Sequence, residues 1–277
     1  MEIPSSVIDF IRRSLEEDIG PGDITTSLLI PEDGESRALY IAKENFILAG
    51  LPFAREVFRI LDTSVFFKTF HNEGDQVVKG DVIAEVMGKT SSILAGERVS
   101  LNILQRLCGI ATLTSMYVSK IRGLKARIVD TRKTTPCQRF LEKYAVRTGG
   151  GENHRFGLFD GILIKDNHIE AVGSIKKAVE LAKRRHHLAK IEVEVESLHD
   201  LTEAIAAGVD IVMLDNMSVN DMKEAVKMSS GRVILEASGG VRLENVREIA
   251  ETGVDLISVG ALTHSASAVD ISLKIVK

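Results

Sequence analysis

From residue 126 onward the chain repeats one pattern. A short aliphatic run ends in polar residues and is followed by a stretch of helical periodicity. The runs are ARIVDTRK (126–133), GILIKDNH (161–168), IEVEVES (191–197), IVMLDN (211–216), VILEASGG (233–240) and LISVGAL (256–262). Such alternation predicts parallel βαβ units. The intervening helices carry start and stop signals. Ser197 with Asp200 and Ser218 with Asp221 fit N-cap and N3 pairs, and Gly208 and Gly231 stand where helices should end. Six runs whose ends lie roughly 20 to 35 residues apart predict an incomplete α/β barrel. A doubly wound open sheet is the rival, without a GxGxxG after a first strand to support dinucleotide binding.

The first part of the chain reads differently. Residues 4–17 predict a helix with Ile8, Ile11 and Leu15 on one face, stopping before Gly20-Pro21-Gly22. Residues 36–94 predict short strands cut by Gly-Asp and Lys-Gly turns, hence a compact α+β N-terminal domain. From Glu97 to about Lys120, Leu101, Leu104, Leu107 and Cys108 recur at helical spacing and predict a long connecting helix.

Composition narrows the classes. With 277 residues, 44% hydrophobic and 27% charged, the chain is expected to fold throughout. A net charge of −4 argues against a nucleic-acid surface. No apolar run is long enough to span a bilayer, and the first twenty residues mix charges into an amphipathic pattern, so a cytoplasmic protein is expected. Cys108 and Cys137 have neither CxxC spacing nor a His partner pattern, which makes a disulfide framework or structural zinc unexpected.

In parallel α/β folds chemistry collects at the carboxyl ends of the strands. Those ends carry Asp130, Thr131, Arg132 and Lys133; Lys165, Asp166, Asn167 and His168; Glu194 and Glu196; Asp215 and Asn216; Glu236, Ser238, Gly239 and Gly240; and Gly260 with His264 beyond. One polar strand end is commonplace, but six in succession form a rim. The segment between the first two runs adds Arg139, Lys143, Arg147, His154 and Arg155, the last two after three glycines. So many basic groups in an acidic protein predict an anionic substrate, with carboxylate and phosphate as the natural fits. Phosphate is expected at Ser238-Gly239-Gly240 and at Gly260-Ala261, where backbone N–H groups are accessible. Glu194 and Asp215 could serve as general acid and base, as ribose-hydroxyl acceptors or as Mg²⁺ ligands. Glu192, Glu194 and Glu196 alternate and should share a face.

These residues resemble the quinolinate phosphoribosyltransferase family, the decarboxylating nicotinate-nucleotide pyrophosphorylases of de novo NAD synthesis. The similar stretches are EDIGPGDITT, GERVSLNILQRLCGIAT, DTRKTTPCQRFLEKYAVRTGGGENHRFGLFDGILIKDNHI, EVEVES, LDN, EASGG and ETGVDLISVGALTHS. The resemblance implies an N-terminal α/β sandwich over residues 1–105, rejoined by about 266–277, and an open α/β barrel over 106–265. It implies a homodimer, or a larger assembly such as a hexamer, with Arg98 reaching into the partner's site. Arg132, His154, Arg155 and Lys165 would contact the quinolinate carboxylates and Thr131 would line the site. Lys133 would lie near the pyrophosphate, Glu194 and Asp215 would hold ribose hydroxyls or the Mg²⁺ shell, and Ser238, Gly239, Gly240, Gly260, Ala261 and His264 would hold phosphate oxygens. Lys133, Lys165, Glu194 and Asp215 would be the catalytic set, with Mg²⁺ as cofactor. The rivals are a same-fold enzyme using nicotinate or another ring acid, a transport-associated relative, and a carrier module, because HNEGDQVVKGDVIAEVMG resembles half of a biotinyl or lipoyl domain.

Overall fold

The computed structural model describes residues 2–186 and 188–276. Along the chain run α1 (Ser5–Ile19), α2 (Ile24–Leu29), β1 (Glu35–Ala42), β2 (Phe46–Ile47), α3 (Leu51–Leu61), β3 (Phe66–Thr69), β4 (Gln76–Val77), β5 (Val82–Lys89) and α4 (Thr90–Lys120). They are followed by β6 (Arg127–Val129), α5 (Arg139–Thr148), β7 (Ile162–Ile164), α6 (Asp166–Val172), α7 (Ile175–Arg185), β8 (Ile191–Val195), α8 (Leu198–Ala207), β9 (Ile211–Asp215) and α9 (Val219–Ser229). The last elements are β10 (Ile234–Ser238), α10 (Val246–Ala250), β11 (Leu256–Ser258), α11 (Ala261–His264) and β12 (Ile271–Val276). Among the described residues no helix is long and apolar enough to cross a membrane.

The chain forms two compact units. The first runs to Ser115, takes in Thr134–Gly150 and resumes at Ser265; the second holds Met116–Lys133 and Gly151–His264. These limits differ from 1–105 and 106–265, because α4 is continuous through residue 105 and α5 packs with the first unit. There the Phe53 ring meets Phe140 and Tyr144 edge-on, the Tyr144 hydroxyl donates to Glu73 at 2.7 Å, and Arg106 pairs with buried Glu142 at 2.8 Å.

In the first unit an antiparallel sheet in the order β12-β1-β5-β3 carries the core. Ala38, Tyr40 and Ala42 alternate inward along β1 and cluster with Phe67, Ala84, Val86, Phe58, Leu101 and Leu104. Two helical features depart from the sequence reading. Residues 51–61 form α3 inside the segment read as strands, because Leu51, Ala54, Val57 and Phe58 recur at helical spacing and are buried together. Helix α4 begins at Thr90 rather than Glu97, and a Cβ at Gly96 would stand 2.8 Å from the Phe58 ring, so the missing side chain admits α3. In α1 the buried stripe is Val7, Ile11 and Leu15, with Ile8 at its margin. Lys89 is the last residue of β5, a ladder partner of Glu35 rather than the tip of a hairpin, which removes the geometry a carrier lysine needs. Cys108 is buried, with its thiol pushed well up by burial, and Cys137 is exposed; both are free thiols.

The second unit is an α/β unit around a parallel sheet in the order β6-β11-β10-β9-β8-β7. Its first two strands in sequence, β6 and β7, stand at opposite edges and do not pair, so the barrel is open. Alternation sorts the strand residues. Val193, Val195, Val212, Leu214, Leu235, Ala237 and Ile257 are all buried beneath the helices. Their neighbours Glu192, Glu194, Met213, Asp215, Glu236, Ser238 and Ser258 take the other face. Ser197 and Ser218 cap α8 and α9 as expected, each accepting from the N–H three residues on at 3.1 Å. Gly208 ends α8 with φ +73°, whereas the left-handed cap of α9 is Ser230, one residue before Gly231.

A tight crossing in the first unit gives a direct test. A Cβ at Gly109 would fall on the Ser267 carbonyl oxygen and within 3.2 Å of Ala268. Gly109→Ala should destabilise by about 1–3 kcal/mol, read as a drop of several degrees in thermal melting; an unchanged melting point would contradict this packing.

Candidate active site

Short strands with polar residues beyond their carboxyl ends leave an opening in the second unit. There a cavity of about 560 Å³ is lined by Asp130, Thr131, Arg132 and Lys133 after β6, His154 and Arg155 from the following loop, and Leu163 and Lys165 at β7. Glu194, Met213, Asp215, Asn216, Glu236, Ser238, Gly239, Gly240 and Ser258 complete the wall. The volume suits a small ligand of the size enzymes commonly hold.

Two guanidiniums share one wall. Arg155 donates to the Gly161 carbonyl at 2.9 Å, and burial first, with neighbouring Arg132 second, works against its charge. Like charges held together in this way are relieved by an anion between them. Lys165 forms an ion pair with Glu194, whose side chain is only 12% exposed. Asp215 accepts from the Asn216 amide at 2.8 Å. Asn216 itself has φ +53°, and a Cβ on Gly239, φ +88°, would fall on the Asn216 side chain. Glycine at 239 therefore allows the turns after β9 and β10 to touch.

A third group assembles behind Lys133. The Lys133 carbonyl accepts from Thr263 at 2.8 Å, and a Cβ at Gly260 would lie 3.1 Å from the Lys133 Cδ and 3.2 Å from the His264 ring. Lys133, Gly260 and His264 are thus neighbours, although Gly260, Ala261 and His264 do not line the cavity itself. Arg98 is exposed on α4 in the first unit, which also holds Arg139, Lys143 and Arg147 on α5. Glu196, past the end of β8, is exposed and leaves the shared face that Glu192 and Glu194 keep.

Beneath the rim these residues make contacts that the sequence reading did not place. Asp130, fully buried, accepts from the His154 N–H at 2.9 Å and the Asn153 amide at 2.6 Å, fixing the loop after Gly149-Gly150-Gly151. The His154 Nε2 stands 3.0 Å from Glu192 and 3.7 Å from Glu236. Glu192 and Glu236 belong to strands separated by β9 and are offset by two residues in register, so on a flat sheet their side chains would stand about 11–12 Å apart. Their convergence on one nitrogen reflects the concavity of this face. Burial, followed by the Glu192 charge, pushes the Glu236 carboxyl up to about 7. Asp130 and Glu236 were legible as polar positions near strand ends, and Ser258 through the alternation of β11. No sequence signal marked Leu163 and Met213 as lining residues.

An open α/β barrel with paired guanidiniums, a lysine–carboxylate pair and glycine turns on one rim defines the class: a barrel that handles small polyanions. The chain belongs to the quinolinate phosphoribosyl transferase family. Residues 23–108 match its N-terminal domain and residues 110–274 its C-terminal domain. It is 47% identical over 260 residues to a probable nicotinate-nucleotide pyrophosphorylase [carboxylating] of Bacillus subtilis, covering 94% of this chain and 90% of that protein. It is 44% identical to quinolinate phosphoribosyltransferase [decarboxylating] 1b of Nicotiana tabacum, covering 96% and 81%. Among solved structures, the nicotinate-nucleotide pyrophosphorylase from Francisella tularensis superposes with a TM-score of 0.96 at 45% identity, covering 99% of this chain and 98% of that one.

Glu236 makes stability depend on pH. Its folded value lies above the ordinary 4.5, so the protonated form favours folding; that contribution is complete below about 4.5 and is lost as pH rises through about 7. Glu236→Gln, permanently neutral, should therefore gain on the parent between about pH 5 and 8 by about 1–3 kcal/mol. Paired thermal melts check this, and a difference that does not change with pH would contradict it.

Proposed function

We propose that the protein transfers the phosphoribosyl group of phosphoribosyl pyrophosphate to the ring nitrogen of quinolinate, with loss of the 2-carboxylate, giving nicotinate mononucleotide, pyrophosphate and CO₂. The observation that carries this reading is the pair Arg132 and Arg155 on one wall with Lys165 beside them, a set suited to two carboxylates on one small ring. The names of the relatives point to the same reaction. On this reading the cavity divides. Arg132, His154, Arg155 and Lys165, with Thr131, take the ring acid. Lys133, Ser238, Gly239 and Gly240, with Gly260, Ala261 and His264 behind them, take phosphate oxygens.

The residues have little covalent chemistry to perform, so most of the acceleration is positioning and charge. Lys133 meets the negative charge that builds on departing pyrophosphate. Asp215 and Glu194 face the ribose carbon as it becomes cationic. After the pyridine nitrogen bonds to that carbon, the ring is a cation. Its 2-carboxylate can then leave as CO₂, with the electron pair held on carbon beside the positive nitrogen until a proton replaces it. Mg²⁺ carried in with the pyrophosphate would supply further positive charge. Glu194 is already engaged by Lys165, so Asp215 is the better placed of the two carboxylates to meet that ion.

The same proposal has the protein acting in the cytoplasm as a homodimer, or a larger assembly of dimers, with Arg98 delivered to the partner's cavity. The exposure of Arg98 on α4 supports this.

Two outcomes check the reading. Purified protein should release CO₂ and pyrophosphate with quinolinate but turn over nicotinate poorly, and Arg132→Ala should lower kcat/KM for quinolinate by about 100-fold or more. Near-normal kcat/KM in that variant would sink the carboxylate assignment. For the shared site, Arg98→Ala and Arg132→Ala are each expected to be nearly inactive. Reassorting the two at equal amounts should restore about a quarter of parental activity, because half of the dimers then carry one intact site of two. No recovery would place Arg98 outside the partner's cavity.

A further inference from the structure

The concave face of the second unit holds more negative charge than the reaction cavity uses. Glu192 and Glu236 are 5% and 0% exposed, yet one oxygen of Glu192 and both oxygens of Glu236 accept no hydrogen bond among the described residues. Both carboxylates point at the same atom, His154 Nε2, at 3.0 and 3.7 Å. Below them a second cavity, of about 420 Å³, opens toward the amino ends of the strands, and His154 and Glu236 line both cavities. Buried acceptors in this state are costly unless a proton or a cation lies among them.

We propose that Glu192 and Glu236 are positioning residues for the substrate acid: they hold His154 as an imidazolium, so that it meets a ring carboxylate as a cation rather than as a neutral donor. This rests on the functional reading above. The charges around His154 decide its state. Arg132 and Arg155 on the same wall oppose protonation, and Lys165 is neutralised by Glu194. Asp130 from the end of β6 and Glu192 from β8 favour it, and Glu236 from β10, pushed up to about 7, joins them as it ionises. Asp215 on β9 stands farther up the rim, and Ser258 on β11 is uncharged. Glu192, at hydrogen-bond distance from the ring nitrogen, weighs most among these groups. Backing carboxylates fix the proton and orientation of a working imidazole in the same way elsewhere.

A metal could also join these three side chains, since their ligand atoms lie within 4.8 Å of one another. It would withdraw His154 from the reaction cavity, which favours the proton.

The test uses full-length protein labelled with ¹⁵N at histidine, with the His154 signal identified by its loss in His154→Gln. In the parent, the His154 ring should show the paired nitrogen shifts of an imidazolium through about pH 8, well above the ordinary histidine value near 6.5. In Glu192→Gln it should be neutral by about pH 7.5. In steady state, Glu192→Gln should raise KM for quinolinate about tenfold at pH 8 with kcat within about twofold, and the gap should close toward pH 6. A purely packing role would raise KM equally at both pH values. A neutral His154 ring at pH 7 in the parent, or an unchanged one in Glu192→Gln, overturns the proposal, as does one equivalent of bound metal in the protein as purified. The spectra need no turnover, so they can fail or succeed independently of the substrate assignment.

Discussion

The second unit depends on a division of labour along β8, β9 and β10. Odd and even positions go to opposite faces, and the aliphatic set, Val193, Val195, Val212, Leu214, Leu235 and Ala237, is buried beneath the helices. That leaves Glu192, Glu194, Asp215 and Glu236 on the concave face, where an ordinary barrel would pack branched apolar residues. Acids of this number, two of them buried and two half-buried, cannot stand alone. The basic residues of the β6 and β7 ends and the His154 loop answer them, and the cavity is the space left where neither set fills the centre.

The neutralisation is uneven, and the unevenness makes a binding site. Lys165 and Glu194 satisfy one another. Arg132 and Arg155 crowd each other and gain from an incoming anion. Around Lys133, the constraint comes from backbone geometry: Gly260 lets Lys133 and His264 lie together, and Gly239 lets two strand-end turns touch. On the proposed reading, one side of the rim takes carboxylates and the adjoining glycine turns take phosphates. A pyridine nitrogen and a ribose carbon bound in the two would be brought together without a covalent helper.

The strands of this unit were readable because their two faces differ so sharply in polarity, and the serine caps because the local sequence decides them. What escaped the sequence was set by distant partners. Helix α5 belongs to the first unit through Phe53, Glu73 and Arg106, dozens of residues away along the chain. Helix α3 was hidden among strand-like runs although its own period was present. Glu236 reads as a rim residue in one dimension; only the concavity of the sheet carries it inward to His154, beside a Glu192 whose role the alternating pattern left open. The rim residues were found because polar strand ends recur six times. Their division between ring acid and phosphate follows from the family resemblance rather than from periodicity.

The most direct measurement is a crystal structure of the protein with quinolinate and an unreactive phosphoribosyl pyrophosphate analogue bound together. The account predicts both ring carboxylates against Arg132, Arg155, His154 and Lys165, the pyrophosphate beside Lys133, and the ring nitrogen facing the ribose carbon. A ring acid seated among the glycine turns, or a pyrophosphate on the paired arginines, would contradict it.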